Sequence, residues 1–386
     1  MQFFITNSMI KKIRLLQVIP NMGIGGAETG CRHIAEHVSS HGEFSAIMTT
    51  GGKQLELLSK SIKVFKWPTS KNIFFILLNI FYIFYLIKKY KINIVHARSR
   101  GPAWSCYFAC KLTNTKFVTT FHGTYNFSSS IKKYYNSIMI KSDIVIAGSN
   151  FIKNHIQTNY NKDKNVELVK RGIDINYFNP SNVNDSQKEN LRKQIGFSNQ
   201  NFLVLLPGRL TSWKGQTLFI EAANYLKKEN KLSNIFFIIL GGADAKINYK
   251  QQLKDLIYSY KLVDKVRIME PMSDMPLAYS FCNLVVSASI EPEAFGRVNV
   301  EAQAMEKPIL ASAIGGSKET IADQETGWII EPNNIHALAN KIFDISKMDF
   351  EKLSAMGKLG RKNVLQNYTQ DQMCVKTLEI YQSLVY

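Results

Sequence analysis

The chain lacks the features that mark disulfide-linked, membrane-spanning or secreted proteins. Its 386 residues include five cysteines, an odd number without paired spacing, which argues against a disulfide framework and favours a reducing compartment. The one membrane suspect, Ile73–Ile87, has 15 residues, fewer than the roughly 20 that a spanning helix needs. Lys11, Lys12 and Arg14 interrupt the apolar start, so no secretory signal is predicted. We interpret residues 1–8 as an extension from an upstream translation start.

Motifs for metals and cofactors are missing as well. No Asp-x-Asp occurs, so a divalent cation bridging a nucleotide diphosphate is not indicated, and we expect neither a metal nor a cofactor. A glycine-rich loop follows the first predicted strand, but Glu28 stands where a dinucleotide-binding fingerprint has its third glycine, and no Lys-Ser/Thr makes it a P-loop. What remains at Gly25 and Gly26 is an amide-rich turn that can approach an anion or a sugar.

Acidic residues are scarce in the first half alone. Residues 1–180 hold 24 lysines and arginines against 8 acidic residues, a net charge of +16, whereas residues 181–386 hold 24 against 22. A lysine-rich genome does not readily explain this difference, because the same genome encodes both halves. The first half is therefore predicted to face a polyanion, which is an anionic membrane, an acidic substrate or nucleic acid. Nucleic acid is least favoured, since no RNA- or DNA-binding motif accompanies the charge.

The segment Ile73–Ile87 has two interpretations that the sequence leaves open. It combines four phenylalanines and two tyrosines, and lysines flank it on both sides. A buried helix is one interpretation. An interfacial helix that inserts shallowly beneath anionic headgroups is the other.

Short β-like runs alternate with helical segments in both halves, which predicts an α/β fold. The polar stretch 176–201 reads as the connection between two such series. We expect two doubly wound, Rossmann-like domains facing across a cleft, with ligands beyond the carboxyl ends of the strands. The predicted strands are Ile13–Ile19, Ser45–Met48, Val64–Trp67, Ile94–His96, Phe117–Thr120, Ile144–Ala147 and Val166–Lys170, then Phe202–Leu206, Ile235–Leu240, Val266–Met269, Leu284–Ser287, Ile309–Ala311 and Trp328–Ile330.

Two carboxylates, Glu293 and Glu301, lie eight residues apart around a predicted helix start near Gly296. The free amides of a helix N-terminus attract phosphate, and carboxylates accept hydrogen bonds from hydroxyl groups. This short segment could therefore hold a sugar, a diphosphate and a ribose in a row. A surface helix with solvated glutamates is the alternative.

Cations and a histidine follow other predicted strands. Arg209 and Lys214 follow the first strand of the second half, where a pyrophosphate would meet two cations and a helix N-terminus. His122 follows a strand of the first half and could hydrogen-bond a sugar hydroxyl or donate to a departing oxygen. Arg98 and Arg100 end another strand there and could meet an anionic acceptor.

These motifs together resemble glycosyltransferase family 4, retaining enzymes of the GT-B fold and of the lipopolysaccharide or cell-envelope type, over essentially the whole chain. The glutamate pair with its intervening Phe-Gly is the most specific element. The matching segments are Gly25–Glu28, His122-Gly123, Arg171–Asp174, Gly208-Arg209, Lys214-Gly215, Glu293–Glu301 and Gly315–Glu319.

The resemblance implies a role for each matched residue. Arg209 and Lys214 would bind the donor diphosphate, with the Phe295 and Gly296 amides near its distal phosphate. Glu301 would hold the ribose and Glu293 the transferred sugar, beside His122. The nucleotide base would rest on the segment that the resemblance places at Met269, Glu270 and Pro271.

The resemblance also implies a division of labour between domains. Residues 1–180 would bind the acceptor, with helix 370–386 packing back on them, and residues 195–369 would bind a UDP- or GDP-linked sugar. The acceptor would be a lipid-linked or envelope saccharide, and the enzyme would be cytoplasmic and peripheral on the inner face of the cytoplasmic membrane. Two other functions remain open at this point: a nucleotide-sugar epimerase on the same scaffold and a non-catalytic membrane-binding protein.

Overall fold

The computed structural model describes residues 12–69, 72–125, 128–161, 163–198, 200–241 and 247–385. The chain divides into two compact units, Met1–Gly172 with Gln370–Tyr386 and Ile173–Thr369. The proposed extension at residues 1–8 lies outside the described residues.

The first unit is built on a seven-stranded parallel sheet with the strand order β3-β2-β1-β4-β5-β6-β7. Strands such as β4 are buried along their whole length, as expected where helices cover both faces of a parallel sheet. Its strands are β1 (Arg14–Val18), β2 (Phe44–Thr49), β3 (Lys63–Lys66), β4 (Ile94–Ala97), β5 (Lys116–Phe121), β6 (Ile144–Ala147) and β7 (Val166–Leu168). Its helices are α1 (Gly26–Ser40), α2 (Ile73–Tyr90), α3 (Arg100–Thr113), α4 (Ser130–Ser137), α5 (Asn150–Asn159) and α13 (Gln370–Val385).

The second unit contains a six-stranded parallel sheet with the order β10-β9-β8-β11-β12-β13. Its strands are β8 (Phe202–Gly208), β9 (Ile235–Gly241), β10 (Val266–Met269), β11 (Leu284–Ser287), β12 (Ile309–Ser312) and β13 (Trp328–Ile330). Its helices are α6 (Asp185–Gln194), α7 (Gln216–Lys228), α8 (Ile247–Ser259), α9 (Met275–Ser280), α10 (Arg297–Ala304), α11 (Ile335–Ser346) and α12 (Phe350–Asn367).

All thirteen predicted strands are present, with ends shifted by two residues at most. The predicted α/β class with two doubly wound sheets is confirmed. The unit boundary differs from the predicted one, because residues 173–180 belong to the second unit. Ile173 donates its amide to the Tyr368 carbonyl at 3.0 Å, and buried Phe178 lies against the Tyr279 ring. These contacts fix the start of the second unit.

Helix α13 belongs to the first unit although it is the last helix in the sequence. It packs beside α1 and contributes buried residues to the apolar core around β1 and β4. The hydroxyl of Tyr381 lies 2.5 Å from His96 Nδ1, and His96 Nε2 lies 2.7 Å from Thr120 Oγ1. This buried chain of hydrogen bonds ties α13 to two strands of the sheet.

Helix α2 contains the segment that the sequence left ambiguous. It runs for 18 residues, three beyond the predicted end, and it begins at an Asn72 cap whose side chain accepts the Phe74 amide. Ile83 and Leu86 are buried, whereas Phe74 and Phe81 are exposed, so α2 is not a fully buried helix. No helix in the described ranges combines the length and apolar character needed to cross a bilayer.

Candidate active site

Lys214 and Glu293 meet at one edge of the second sheet. Strands β8 and β11 are parallel neighbours, so the loops that follow them leave the sheet at the same edge. Lys214 Nζ lies 2.7 Å from Glu293 Oε1, and the two side chains are 13% and 10% exposed. Lys214 Nζ also lies 4.5 Å from the centre of the Trp213 ring. Lys214 and Glu293 are 79 positions apart in the sequence but in contact in the structure. The resemblance assigned both of them to the nucleotide-sugar donor.

The two loops are held together by backbone contacts that need a glycine. The Ile290 amide donates to the Trp213 carbonyl at 2.8 Å. Gly215 has a φ of +78°, and a Cβ there would lie 1.9 Å from the Ala288 carbonyl oxygen. Because only glycine tolerates both the backbone angle and this close approach, it sets the position of Lys214 relative to Glu293.

A third loop fixes the backbone of Glu293. The Gly316 amide donates to the Glu293 carbonyl at 2.7 Å, and a Cβ on Gly316 would lie 2.5 Å from the Ala294 carbonyl oxygen. Ser289 Oγ donates a short hydrogen bond to Glu293 Oε1. The carboxylate of Glu293 is therefore held by a hydroxyl group and an ammonium group.

Helix α10 begins directly after this loop. Gly296 is its N-cap, and no side chain caps the helix there. The amides of its first turn thus resemble those of other helix N-termini that bind anions. Phe295 is buried and its ring meets the edge of the Tyr368 ring, so the backbone that precedes the helix is anchored in the core.

Glu301 lies inside α10 and is 7% exposed. Its Oε2 accepts a hydrogen bond from the Tyr279 hydroxyl at 2.7 Å, and its Oε1 accepts one from Arg297 Nε at 2.5 Å. The Glu301 carboxylate raises the pKa of Arg297, and burial followed by the Glu301 charge raises the pKa of Tyr279 well above its ordinary value. A carboxylate has about four lone-pair sites, so two remain for further donors.

The other residues assigned to the donor make few contacts within the described part of the second unit. Arg209 is exposed, and its guanidinium makes no hydrogen bond or ion pair within the described part of the chain. Met269 ends β10, an edge strand two positions from β8. Glu270 and Pro271 follow it and are exposed, and Glu270 pairs with Lys250, which lowers the pKa of Glu270.

His122 follows β5 in the first unit, at the carboxyl edge of that sheet. Arg171 Nη2 makes a short hydrogen bond to His122 Nδ1. A guanidinium can only donate, so Nδ1 is the acceptor and the ring proton of neutral His122 lies on Nε2. That Nε2 atom is buried and has no partner among the described residues. Burial, then the Arg171 and Arg98 charges, lower the pKa of His122 well below its ordinary value.

Two groups of residues in the first unit were predicted to meet an anion, Gly25 with Gly26 and Arg98 with Arg100. They follow the neighbouring strands β1 and β4, but both arginines already have partners. Arg98 is 5% exposed and donates twice to Gln17 Oε1. Arg100 donates to Asn136 Oδ1 at 2.8 Å and lies over the Tyr125 ring. The two glycines form the start of α1, with Gly25 as the N-cap and Gly26 as the first residue.

Several contacts of the site residues carried no signal in the sequence. Tyr279 lies in a short helix 22 positions before Glu301, and nothing in its surroundings marks it as a partner. Ser289 is one of several small residues after β11. Arg171 was recognised as part of a motif, but its contact with His122 depends on how β5 and β7 are placed in the sheet.

His96 and His122, whose pKa values are lowered in the folded chain, predict a loss of stability in acid. Burial lowers the pKa of His96 well below its ordinary value, as it does for His122. Between the folded-state pKa and about 6.5, the unfolded chain binds more protons than the folded one. Stability is therefore expected to fall as the pH drops below about 6.5, by up to about 1.4 kcal/mol per pH unit for His96.

Thermal unfolding followed from neutral to mildly acid pH measures this effect. The variant H96Q should flatten the pH dependence. An equal pH slope in wild type and H96Q would contradict the prediction.

The comparisons with known proteins identify the family. Residues 187–363 match the family model described as Glycosyl transferases group 1, and residues 24–177 match Glycosyltransferase Family 4. The crystal structure of a glycosyltransferase from Rickettsia africae ESF-5 is 39% identical in sequence, and the match covers 97% of this chain and 99% of that one with a TM-score of 0.87.

Two further proteins are more distant but also match over most of their length. The Escherichia coli UDP-Gal:alpha-D-GlcNAc-diphosphoundecaprenol alpha-1,3-galactosyltransferase is 24% identical over 360 residues, which is 89% of each chain. Anabaena Alr3699/HepE, solved in complex with UDP and glucose, is 22% identical and has a TM-score of 0.82, with 96% of this chain and 100% of that one covered. The likeness to the Anabaena structure is one of fold.

These matches agree with the two parallel-sheet units and with the motif resemblance, which is confirmed. The chain is a transferase that belongs to the group 1 glycosyltransferases of family 4 and has the GT-B fold.

Proposed function

We propose that the chain is a retaining glycosyltransferase that moves a hexose-type sugar from a UDP- or GDP-linked donor to a lipid-linked or envelope saccharide. The Lys214–Glu293 pair is the observation that carries this proposal. It places a cation and a carboxylate side by side at a helix N-terminus, which are the groups that a diphosphate and a sugar require.

The pair suggests how the donor enters the site. A diphosphate oxygen competes with Glu293 Oε1 for the Lys214 ammonium, and Arg209 adds a second cation. Glu293 then keeps its Ser289 hydrogen bond and can accept one from a sugar hydroxyl. The α10 amides near Phe295 and Gly296 would meet the distal phosphate, and Glu301 would receive the ribose. The base would lie at Met269, Glu270 and Pro271.

The reaction breaks the bond between the sugar C1 and the phosphate oxygen, and the electron pair stays on the phosphate. Lys214, Arg209 and the helix amides stabilise the charge that develops there, so the protein can supply this function without a metal ion. The acceptor oxygen bonds to C1 on the face that the phosphate leaves and gives its proton to the departing phosphate oxygen. Glu293 faces the positive charge that develops on the sugar.

His122 would contribute a hydrogen bond to the reacting sugar. Its tautomer leaves the buried Nε2–H as a donor, and its lowered pKa keeps the ring neutral at pH 7. The first unit, which carries His122, would bind the acceptor. The candidates for binding the anionic part of that acceptor are still Gly25, Gly26, Arg98 and Arg100. The two arginines would then have to exchange their hydrogen bonds to Gln17 and Asn136 for bonds to the acceptor.

The variant pair H122Q and H122A tests this donor role. Glutamine keeps an amide N–H near the position of Nε2, whereas alanine removes it. We expect H122A to lower the transfer rate by about tenfold, the effect of one lost hydrogen bond, and H122Q to retain most of the rate. A loss of about a hundredfold or more in both variants would instead indicate proton transfer by the ring.

The relatives support the donor and acceptor classes. The E. coli relative is named for a UDP-galactose donor and an acceptor linked to diphosphoundecaprenol, and the Anabaena structure contains UDP and glucose. We infer the same classes here, with an enzyme that works in the cytoplasm on the inner face of the membrane. The basic first unit fits an acceptor held at an anionic leaflet.

A thermal-shift screen against UDP- and GDP-sugars tests the proposal. One donor should raise the unfolding temperature of wild type, and R209A should remove the shift. Product analysis with that donor alone should show the intact nucleotide-sugar and slow hydrolysis. An epimerised nucleotide-sugar, or no shift with any donor, would overturn the proposal.

A further inference from the structure

Helix α2 exposes an apolar stripe along one side. Phe74, Leu77 and Phe81 are 60%, 54% and 72% exposed, and Tyr85 continues the stripe. These positions are three or four residues apart, so they lie on one face of the helix. The opposite face packs on α3, and Ser105 Oγ donates to the Ile76 carbonyl across that contact. The exposed stripe is therefore separate from the face that holds the helix in place.

Further exposed apolar side chains lie on α3 and α4. Leu112 on α3 and Ile131 and Tyr134 on α4 are exposed, at 65%, 81% and 63%. The Trp104 ring joins the two helices, since its centre lies 5.6 Å from that of Tyr134. Of the 19 large apolar side chains that are exposed in the described ranges, nine lie on these three helices.

The three helices lie on the same side of the sheet. Each belongs to a crossover that runs in one direction along the strand order, from β3 to β4, from β4 to β5 and from β5 to β6. Right-handed crossovers in one direction place their helices on one face. We call this surface the α2–α4 face and define it by Phe74, Leu77, Phe81, Leu112, Ile131 and Tyr134.

The part of the sequence that forms α2, α3 and α4 contains no carboxylate side chain. Between Glu56 and Asp143 there are 14 lysines and arginines and no aspartate or glutamate. Exposed lysines lie on the same three helices, with Lys88 and Lys89 on α2, Lys111 on α3, and Lys132 and Lys133 on α4. The α2–α4 face therefore combines exposed aromatic and aliphatic side chains with charges of one sign.

We propose that the α2–α4 face inserts shallowly into an anionic phospholipid bilayer. Its apolar side chains would enter the boundary between headgroups and acyl chains, and its lysines would meet the phosphates. Association of two copies of the chain through this face is disfavoured by charge. The lysines of one copy would lie against the lysines of the other, with no carboxylate to pair them. This inference specifies the membrane partner of the proposed function, but it does not require that sugar transfer occur.

Sedimentation of the purified full-length chain with vesicles tests the proposal. The vesicles are made of phosphatidylcholine with or without phosphatidylglycerol, and no nucleotide is added. Wild type should bind the anionic vesicles, and high salt should weaken the binding. The double variant L77S/F81S and the double variant K132E/K133E should each bind at least about tenfold more weakly.

Matched variants and a second readout separate insertion from misfolding. F350S changes an equally exposed phenylalanine in the second unit, at 79%, and should bind as wild type does. All variants should keep the wild-type unfolding temperature, since the changed side chains are exposed. Wild-type binding by L77S/F81S, or no binding of wild type at low salt, would overturn the proposal.

Light scattering tests whether a second copy of the chain, rather than a membrane, covers the α2–α4 face. A wild-type dimer that becomes a monomer in L77S/F81S would show that a second copy covers the α2–α4 face, and the membrane proposal would then be wrong. Donor binding by L77S/F81S should remain unchanged. If no variant bound a nucleotide-sugar, the proposed sugar transfer would be contradicted. The vesicle experiment would still decide whether the α2–α4 face binds a membrane.

Discussion

Replacing Glu293 by glutamine is expected to lower sugar transfer by at least about a hundredfold, the cost of removing one electrostatic contact to the transition state. Glutamine keeps the shape of the side chain and can still accept the hydrogen bond from Ser289. It loses the negative charge that faces the developing positive charge on the sugar. The change therefore removes transition-state stabilisation while the loop geometry is retained.

Binding of the nucleoside diphosphate should respond differently to the same change. In wild type the Glu293 carboxylate holds the Lys214 ammonium at 2.7 Å. Once that carboxylate is neutral, Lys214 is freed for the diphosphate, so E293Q should bind UDP or GDP as tightly as wild type or more tightly. Titration calorimetry measures the affinity, and release of nucleoside diphosphate from the donor measures the rate.

Glu291 provides the matched control in the same loop. It is exposed, and it makes no ion pair within the described part of the chain. The variant E291Q should keep both the transfer rate and the diphosphate affinity. Equal losses in E291Q and E293Q would indicate a general effect of loop charge, and a fully active E293Q would contradict the proposed role of Glu293.

The variant K214M should show the opposite pattern, with weaker diphosphate binding by about tenfold to a hundredfold, the range for a hydrogen bond to a charged group. Methionine fills the space of the lysine stem over the Trp213 ring but lacks the ammonium. K231M is the control, because Lys231 forms an exposed ion pair with Glu229 in the same unit. Unchanged affinity in K214M would show that the diphosphate binds elsewhere.

The unfolding stability of K214M gives a second test of the Lys214–Glu293 pair. The Glu293 side chain is 10% exposed, so removing Lys214 leaves a carboxylate that is largely shielded from water. Breaking a buried pair in this way costs about 3–5 kcal/mol. The double variant K214M/E293Q removes both charges and should recover much of this loss. Purely additive losses in thermal unfolding would mean that the two side chains do not form a pair in solution.

The sheets could be predicted from the sequence because their strands are buried on both faces. Such strands appear as continuous apolar runs, as in Leu284–Ser287, and Gly, Asn and Pro mark their ends. The same argument locates Glu293, Lys214 and His122, since each lies in the loop that follows a predicted strand. Parallel strands bring their carboxyl ends to one edge, so candidate site residues follow from the strand pattern alone.

The partners within the site could not be predicted in the same way. The Lys214–Glu293 contact requires β8 to lie beside β11, and the sequence gives the strands but not their order. The hydrogen bond between Tyr279 and Glu301 requires the packing of α9 against α10. Both depend on tertiary neighbours rather than on local pattern.

The surface of α2 shows a further limit of the sequence. The segment is apolar on nearly every side, so its pattern does not separate a buried face from an exposed one. Only the packing against α3 shows that Ile83 is buried and that Phe81, two positions before it, is exposed. The alternative between a buried and an interfacial helix was therefore open until that contact was known.

A crystal structure of the chain with the nucleoside diphosphate that it binds tests the proposed donor site without an acceptor. The diphosphate should lie on Lys214 and on the amides that begin α10, with the ribose hydroxyl groups at Glu301 and the Lys214–Glu293 contact exchanged for one to phosphate. A nucleotide bound elsewhere, with Lys214 still paired to Glu293, would contradict the assignment of this site.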